Sequence, residues 1–313
     1  MRKPLIVISG ATATGKSALA VNIAKIIGGE IISADSMQIY KYMNIGTAKV
    51  TKEEMQGVPH HLIDIIEPDE SFDANAFKEY SLKAMEGIYE RGNIPIITGG
   101  TGFYIQAVTR DIDFTEENDN GVREKITAFY EENGEDALFE RLRSIDPESC
   151  IIIPKQNVKR VIRAIEFFEL HNKKISDHNK EQKEKTSPYN LAYFVIDDDR
   201  KTLYEKIDKR VDKMLEEGLL NEVETLLSNY TYSSSSGLFN AIGYKEIIEY
   251  KNGYYDLDRA IELIKQNSRH YAKRQVTFFK RESDAVYLNK RKLDNTQMIE
   301  FILSVLKEKG IYG

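Results

Sequence analysis

Eight consecutive residues, Gly10-Ala11-Thr12-Ala13-Thr14-Gly15-Lys16-Ser17, match G-x-x-x-x-G-K-[ST], a pattern that curls backbone amides around phosphate oxygens. The helix that must follow adds the positive end of its dipole. In such a loop Lys16 contacts terminal phosphate oxygens and the Ser17 hydroxyl holds Mg2+. The expectation is a diphosphate- or nucleotide-binding site over Gly10 to Ser17. The loop alone leaves open whether the phosphate belongs to ATP. A P-loop NTPase ends a later buried strand on a carboxylate, but the run Ile94 to Thr98 leads into Gly99-Gly100-Thr101-Gly102. Asp64, between Ile63 and Ile65, stands as a substitute, and equally as a strand residue or turn cap.

Such a loop needs a strand before it and a helix after it. Leu5 to Ser9 is a short apolar run that reads as a buried strand, and Leu19, Ile23, Ile26 and Ile27 then recur at helical spacing. Apolar runs at Ile31-Ile32, Leu62 to Ile66 and Ile94 to Thr98 read as further strands, with a helical period from Ala74 to Tyr89 before the last. This alternation predicts an α/β fold with a parallel sheet covered by helices on both faces, in the manner of P-loop NTPases. After Asp113 the pattern becomes charged and helical, as in Val122 to Glu132 and Val158 to Leu170. Strand character returns at Leu191 to Ile196. Residues 1–113 and 190–313 are therefore expected to form the α/β core, and 114–189 a helical insertion. Helices then dominate, including one from about Asp256 to Phe279, before a strand at Ala285 to Leu288 and a last helix.

The 313 residues carry 44 Lys and Arg against 50 Asp and Glu, a net charge of −6 that argues against a general polyanion binder. Two stretches oppose the average: Lys155, Lys159, Arg160 and Arg163, and then Arg269, His270, Lys273, Arg274, Lys280 and Arg281. On one helix Lys155, Lys159 and Arg163 would share a face, a positive stripe suited to phosphates. The single cysteine, Cys150, excludes an internal disulfide and a Cys-rich zinc site, as in a reducing compartment. The run Leu5 to Ile8 is too short for a signal segment or a membrane span. The protein is expected to be cytoplasmic, with no membrane partner.

Three further segments complete the pattern: Asp35-Ser36-Met37-Gln38-Ile39-Tyr40, Gly99 to Tyr104, and Lys159-Arg160-Val161-Ile162-Arg163-Ala164. With the P-loop, this ordered set resembles the tRNA dimethylallyltransferase family, also called tRNA isopentenyltransferases. The likeness extends over nearly the whole chain, through Gly46-Thr47-Ala48-Lys49, Pro59 to Ile65, Arg210-Val211 to Gly218, Gly243 to Glu246 and Ala272 to Gln275. It implies transfer of a dimethylallyl group from dimethylallyl diphosphate to the N6 amine of the adenosine 3′ to the anticodon, position 37 of tRNA, with release of pyrophosphate. The chain ends without the zinc-finger extension of eukaryotic relatives, so a bacterial-type enzyme is implied, expected as a monomer.

By that resemblance Asp35 is the base that takes the proton of a weakly nucleophilic amine, and Lys16 and Thr101 complete the catalytic set. The P-loop grips the departing pyrophosphate, joined by Arg210, with Mg2+ on Ser17. Asp35, Ser36, Met37 and Gln38 contact the adenosine, flipped out of its stack. Thr101 and Arg123 lie beside the tRNA, and Lys159, Arg160, Val161, Ile162 and Arg163 bind it. Two positions depart from the family pattern, Asn157 where aspartate is common and Phe278 where tryptophan is usual. Rival readings are an adenylate isopentenyltransferase acting on free AMP, ADP or ATP, a P-loop small-molecule kinase, and a non-catalytic RNA-binding module.

Overall fold

A computed structural model describes residues 2–114, 121–231 and 237–313 of the chain. Strand β1 (Pro4–Gly10) runs through the phosphate loop into α1 (Lys16–Ile27) and β2 (Gly29–Ser33). A connection carrying α2 (Lys52–Met55) leads to β3 (His60–His61), then α3 (Ala74–Glu90), β4 (Ile94–Gly99) and α4 (Gly102–Thr109). Next come α5 (Val122–Ile145), α6 (Pro147–Ile152), α7 (Val158–His171) and α8 (Ile175–Glu184). The chain returns to the sheet as β5 (Asn190–Asp197). After it come α9 (Arg200–Glu216), α10 (Leu219–Asn229), α11 (Gly237–Asn240), α12 (Tyr244–Lys251) and α13 (Leu257–Phe279), then β6 (Ala285–Asn289) and α14 (Asn295–Glu308).

The six strands form one sheet in the order β3-β2-β4-β1-β5-β6, and every pairing is parallel. A central parallel strand is covered on both faces, which is why Leu5, Ile6, Val7 and Ile8 form an unbroken apolar run with no exposed surface. Helix α1 buries Leu19, Ala20, Ile23, Ala24 and Ile27 against one face of the sheet, and stops at Gly28 in the left-handed conformation. Because all strands run the same way, the segments leaving β1, β2 and β4 emerge along one edge. That edge is where open α/β sheets hold ligands.

The expected strand at Leu62 to Ile66 is absent. Leu62 and Asp64 have φ of 62° and 55°, which an extended strand excludes. The ladder is instead made by His60 and His61, paired with Ile31 and Ile32. Asp64 accepts a hydrogen bond from Lys49 Nζ at 2.5 Å and closes no sheet strand as a Walker-B carboxylate would. An apolar run in a turn has the same composition as one in a strand, so the pattern could not separate them.

The chain divides into two compact units, Met1–Thr109 with Ser187–Gly313, and Arg110–Thr186. Among its described residues the regular elements of the second unit are all helices. Its core gathers Ile126, Leu138 and Leu142 of α5 with Val161, Ile162, Ala164 and Ile165 of α7. Helix α5 is broken at Gly134, whose φ of 79° and ψ of 179° leave the helical region. Asp146 has no exposed surface. One carboxylate serves two helices, accepting from the Ser149 amide and hydroxyl at 3.2 and 2.6 Å and from those of Ser176 at 3.0 and 2.7 Å.

Lys155 does not extend the stripe expected on one helix face. It precedes the N-cap of α7 and is paired with Asp136 and Glu135 of α5. That N-cap is Asn157, whose side chain accepts from the Arg160 amide at 3.4 Å. The capping role is one that asparagine and aspartate fill equally well, so the departure at this position leaves the helix start intact.

Candidate active site

The phosphate loop takes its curvature from residues in left-handed backbone, Ala13 at φ 62° and Gly15 at φ 84°. Successive turns of this kind point amides into a concave anion site. The Thr14 hydroxyl donates to Ala11 O at 2.7 Å and pins the curl, while Lys16 Nζ reaches across to the same carbonyl at 3.4 Å. Two distant side chains brace the loop. Gln275 of α13 accepts from the Thr12 amide at 2.8 Å and donates to Gly100 O at 3.0 Å, and Lys290 donates to Thr14 O at 3.1 Å.

Asp35 leaves the end of β2 in a tight turn, with Oδ1 accepting from the Met37 amide at 3.0 Å. The preceding residue presses directly on the turn after β4: a Cβ on Gly99 would lie 2.2 Å from Ala34 O, so only glycine fits. Thr101 adds the second tie, its hydroxyl accepting from the Ser36 amide at 3.1 Å. Farther along the same turn, Gly102 packs against the Phe278 ring, which fills the place where a Cβ would stand. The second departure from the family pattern thus retains an aromatic contact.

Arg210 closes the other side. Nη1 donates to the Thr12 hydroxyl at 3.0 Å and Nη2 to Thr47 O at 3.2 Å, so this helix residue is tied into the phosphate loop. Gln38 points its amide the same way, toward Thr47 O at 3.4 Å and Ala48 O at 3.2 Å. One pocket is lined by Thr12, Lys16, Ser17, Asp35, Gln38 and Arg210, with Ile31, Val50, Ile63 and His60 also in its wall.

Burial lowers the Lys16 ammonium to about 8, against the pull of the Asp35 carboxylate and with the help of the nearby Arg210 charge. Desolvation lowers Arg210 as well, and Asp35 again opposes it. The pocket therefore sets two partly desolvated cations against one carboxylate. Two cations held this way suit an anion such as a phosphate group.

The tRNA-side candidates of the second unit have a different setting. Glu166, 5% exposed, accepts from Arg123 Nε and Nη2 at 2.9 Å each and from Arg163 at 3.1 Å. Lys159 and Arg160 are exposed. Val161 and Ile162 are not: both side chains are buried in the unit's core, where they hold α7 in place. The solvent-facing side of this helix is left to its polar residues.

The IPP transferase family model matches residues 38–282. The chain belongs to this family. It is 47% identical over 311 residues to a tRNA dimethylallyltransferase of Lachnoclostridium phytofermentans, covering 99% of each chain. The fold is similar to that of the tRNA isopentenylpyrophosphate transferase of Bacillus halodurans, at 39% identity and a TM-score of 0.74 over 99% of this chain and 98% of that one. The corresponding transferase of Staphylococcus epidermidis gives 43% identity and 0.72 over 98% and 100%. A eukaryotic dimethylallyltransferase acting on tRNA gives 27% and 0.82, over 98% of this chain and 79% of that one. As an IPP transferase family member the chain is a prenyltransferase.

Among the described residues no group of three His, Cys, Asp or Glu side chains gathers to hold a metal ion. The oxygen donor Ser17 on the pocket wall fits an ion such as Mg2+, which takes few protein ligands and completes its shell with phosphate oxygens and water. Gln275 and Lys290 escaped sequence reasoning as site residues. No local pattern marks them, since Gln275 meets Thr12 across 263 residues and Lys290 meets Thr14 across 276.

Proposed function

We propose that this chain transfers the dimethylallyl group of dimethylallyl diphosphate to N6 of the adenosine 3′-adjacent to the anticodon in tRNA, giving N6-(dimethylallyl)adenosine and pyrophosphate. The observation that carries the reading is that Asp35, Lys16, Ser17 and Arg210 line one pocket. The adenosine N6 lone pair forms the new bond to the dimethylallyl C1. The bond from C1 to the diphosphate oxygen breaks, and its electron pair leaves with pyrophosphate. Asp35 takes the N6 proton. The loop amides of Gly10 to Ser17, Lys16 and Arg210 bind the charge that grows on the leaving group. Mg2+, held on Ser17, would supply further neutralisation of that charge when bound.

Ser36, Met37 and Gln38 contact the flipped adenosine, Thr101 holds their loop, and Arg123, Lys159, Arg160 and Arg163 of the insertion meet the anticodon stem-loop. Likeness to tRNA-acting transferases over essentially the full length supports tRNA over free adenylate as acceptor. The kinase reading loses support because Asp64 is engaged with Lys49. A cytoplasmic monomer goes with this reading. Among the described residues no helix is long and apolar enough to cross a membrane.

The test is incubation of purified protein with dimethylallyl diphosphate, Mg2+ and unmodified tRNA, followed by mass spectrometry of the digested RNA. The prenyl adduct on the anticodon-loop adenosine is the expected product. Transfer to free AMP alone would overturn the tRNA assignment.

A further inference from the structure

Glu222 of α10 makes an arrangement that the reaction above does not use. Its carboxylate accepts from three successive backbone amides: Asn44 at 2.9 Å, Ile45 at 2.8 and 3.0 Å, and Gly46 at 3.1 Å. Amides converging in this way form an anion nest, here filled by the protein's own side chain. Tyr244 of α12 is a fourth donor to the same carboxylate, at 2.6 Å. The Tyr244 side chain is fully buried, and it packs so closely on the turn that a Cβ on Gly46 would lie 2.4 and 2.7 Å from its ring.

The residues just beyond this turn bear directly on the pocket. Thr47 O accepts from both Arg210 and Gln38, and Ala48 O accepts from Gln38. The Thr47 hydroxyl donates back to Met43 O at 2.7 Å and so ties the carbonyls to the nested turn. A carboxylate outside the pocket thus sets the acceptors that aim two polar groups inside it.

We propose that Glu222, backed by Tyr244, is a positioning residue for prenyl transfer. It fixes the Thr47 and Ala48 carbonyls, and through them the Arg210 guanidinium and the Gln38 amide. The proposal rests on the reading of Arg210 as a diphosphate ligand. Without the carboxylate the three amides turn to water, the turn loosens, and Arg210 loses the acceptor that orients it toward the phosphate loop.

The test is calorimetric titration of inorganic pyrophosphate with Mg2+ into the full chain and its Glu222→Ala, Arg210→Ala and doubly substituted variants. Thermal unfolding is followed on each. Glu222→Ala is expected to weaken pyrophosphate binding about tenfold, and to add almost nothing once Arg210→Ala is present. Glu222→Gln, which keeps one acceptor oxygen, should lose less, and Tyr244→Phe less again. These two milder variants carry the same cycle if Glu222→Ala does not fold. Unaltered affinity in a folded Glu222→Ala protein overturns the proposal, as does an equal loss with and without Arg210. Unaltered affinity in Arg210→Ala overturns both the diphosphate role of Arg210 and the positioning role built on it. Failure of tRNA prenylation with this cycle intact would instead strike at the acceptor.

Discussion

The Thr101 hydroxyl accepts a hydrogen bond from the Ser36 amide at 3.1 Å, so the turn that ends β4 holds the loop that ends β2. Thr101→Ala removes the acceptor and frees the segment that carries Asp35. Misplacing a proton acceptor by a fraction of an ångström slows chemistry steeply. Single-turnover prenyl transfer should fall about tenfold or more in Thr101→Ala, while Thr101→Ser stays near the parent rate. Equal rates in the two variants would show that the hydroxyl does not hold the loop.

The Lys16 ammonium, lowered to about 8, gives a definite pH dependence. Below that value the free enzyme presents a cation to the diphosphate, and above it a neutral amine. Prenyl transfer measured as kcat/KM for the diphosphate should therefore decline as pH rises through about 8. Lys16→Arg, which stays charged, should lose this limb whatever its absolute rate. Stability runs the other way. Between about 8 and the ordinary lysine value of 10.5 the unfolded chain binds more protons, so the contribution of Lys16 to folding improves with pH. Urea unfolding of the parent and Lys16→Met chains at pH 7 and pH 9.5 checks the sign.

Gln275, only 5% exposed, satisfies one backbone group in the phosphate loop and another in the turn at Gly100. Gln275→Leu preserves volume and abandons both. Leaving two such groups unpaired should cost about 2–4 kcal/mol, read from the urea midpoint. Gln275→Glu retains the acceptor for the Thr12 amide and should cost less. A Gln275→Leu chain as stable as its parent would rule out the brace.

Legibility followed the range of the interactions. The phosphate loop could be read because its amides, lysine and serine lie within eight residues and need only a strand before and a helix after. Asp35 and Thr101 drew meaning from family resemblance, and the structure explains their nearness through the close approach of Gly99 to Ala34. Arg210 likewise drew its role from the resemblance, since a charged helix looks the same whether its arginine meets solvent or Thr12. Leu62 to Ile66 resembles a strand because hydropathy carries no sign of φ. Gln275 and Glu222 act on backbone atoms more than 170 residues away, and composition holds no record of such a partner.

Salt dependence separates the exposed cations of α7 from its buried residues. Lys159 and Arg160 face solvent, whereas Val161 and Ile162 belong to the core of their unit. Replacing Lys159 and Arg160 by alanine should weaken tRNA binding at low salt and flatten the slope of log affinity against log salt, by about one for each phosphate that is no longer neutralised. Filter binding at several salt concentrations gives the slope. An unchanged slope would remove this helix from the RNA interface.

The place of β1 between β4 and β5 bears on how the protein is made. Its first partner is complete within the first hundred residues, but the register from Pro4↔Asn190 to Gly10↔Ile196 needs a segment synthesised long afterwards. At about 5–20 residues per second a ribosome takes roughly five to twenty seconds to cover that interval. Through it β1, with its apolar run Leu5 to Ile8, keeps one bare edge, an open template for pairing with other chains. Arrival of β5 seals that edge, so a polypeptide interrupted inside the insertion is released with its central strand still adhesive.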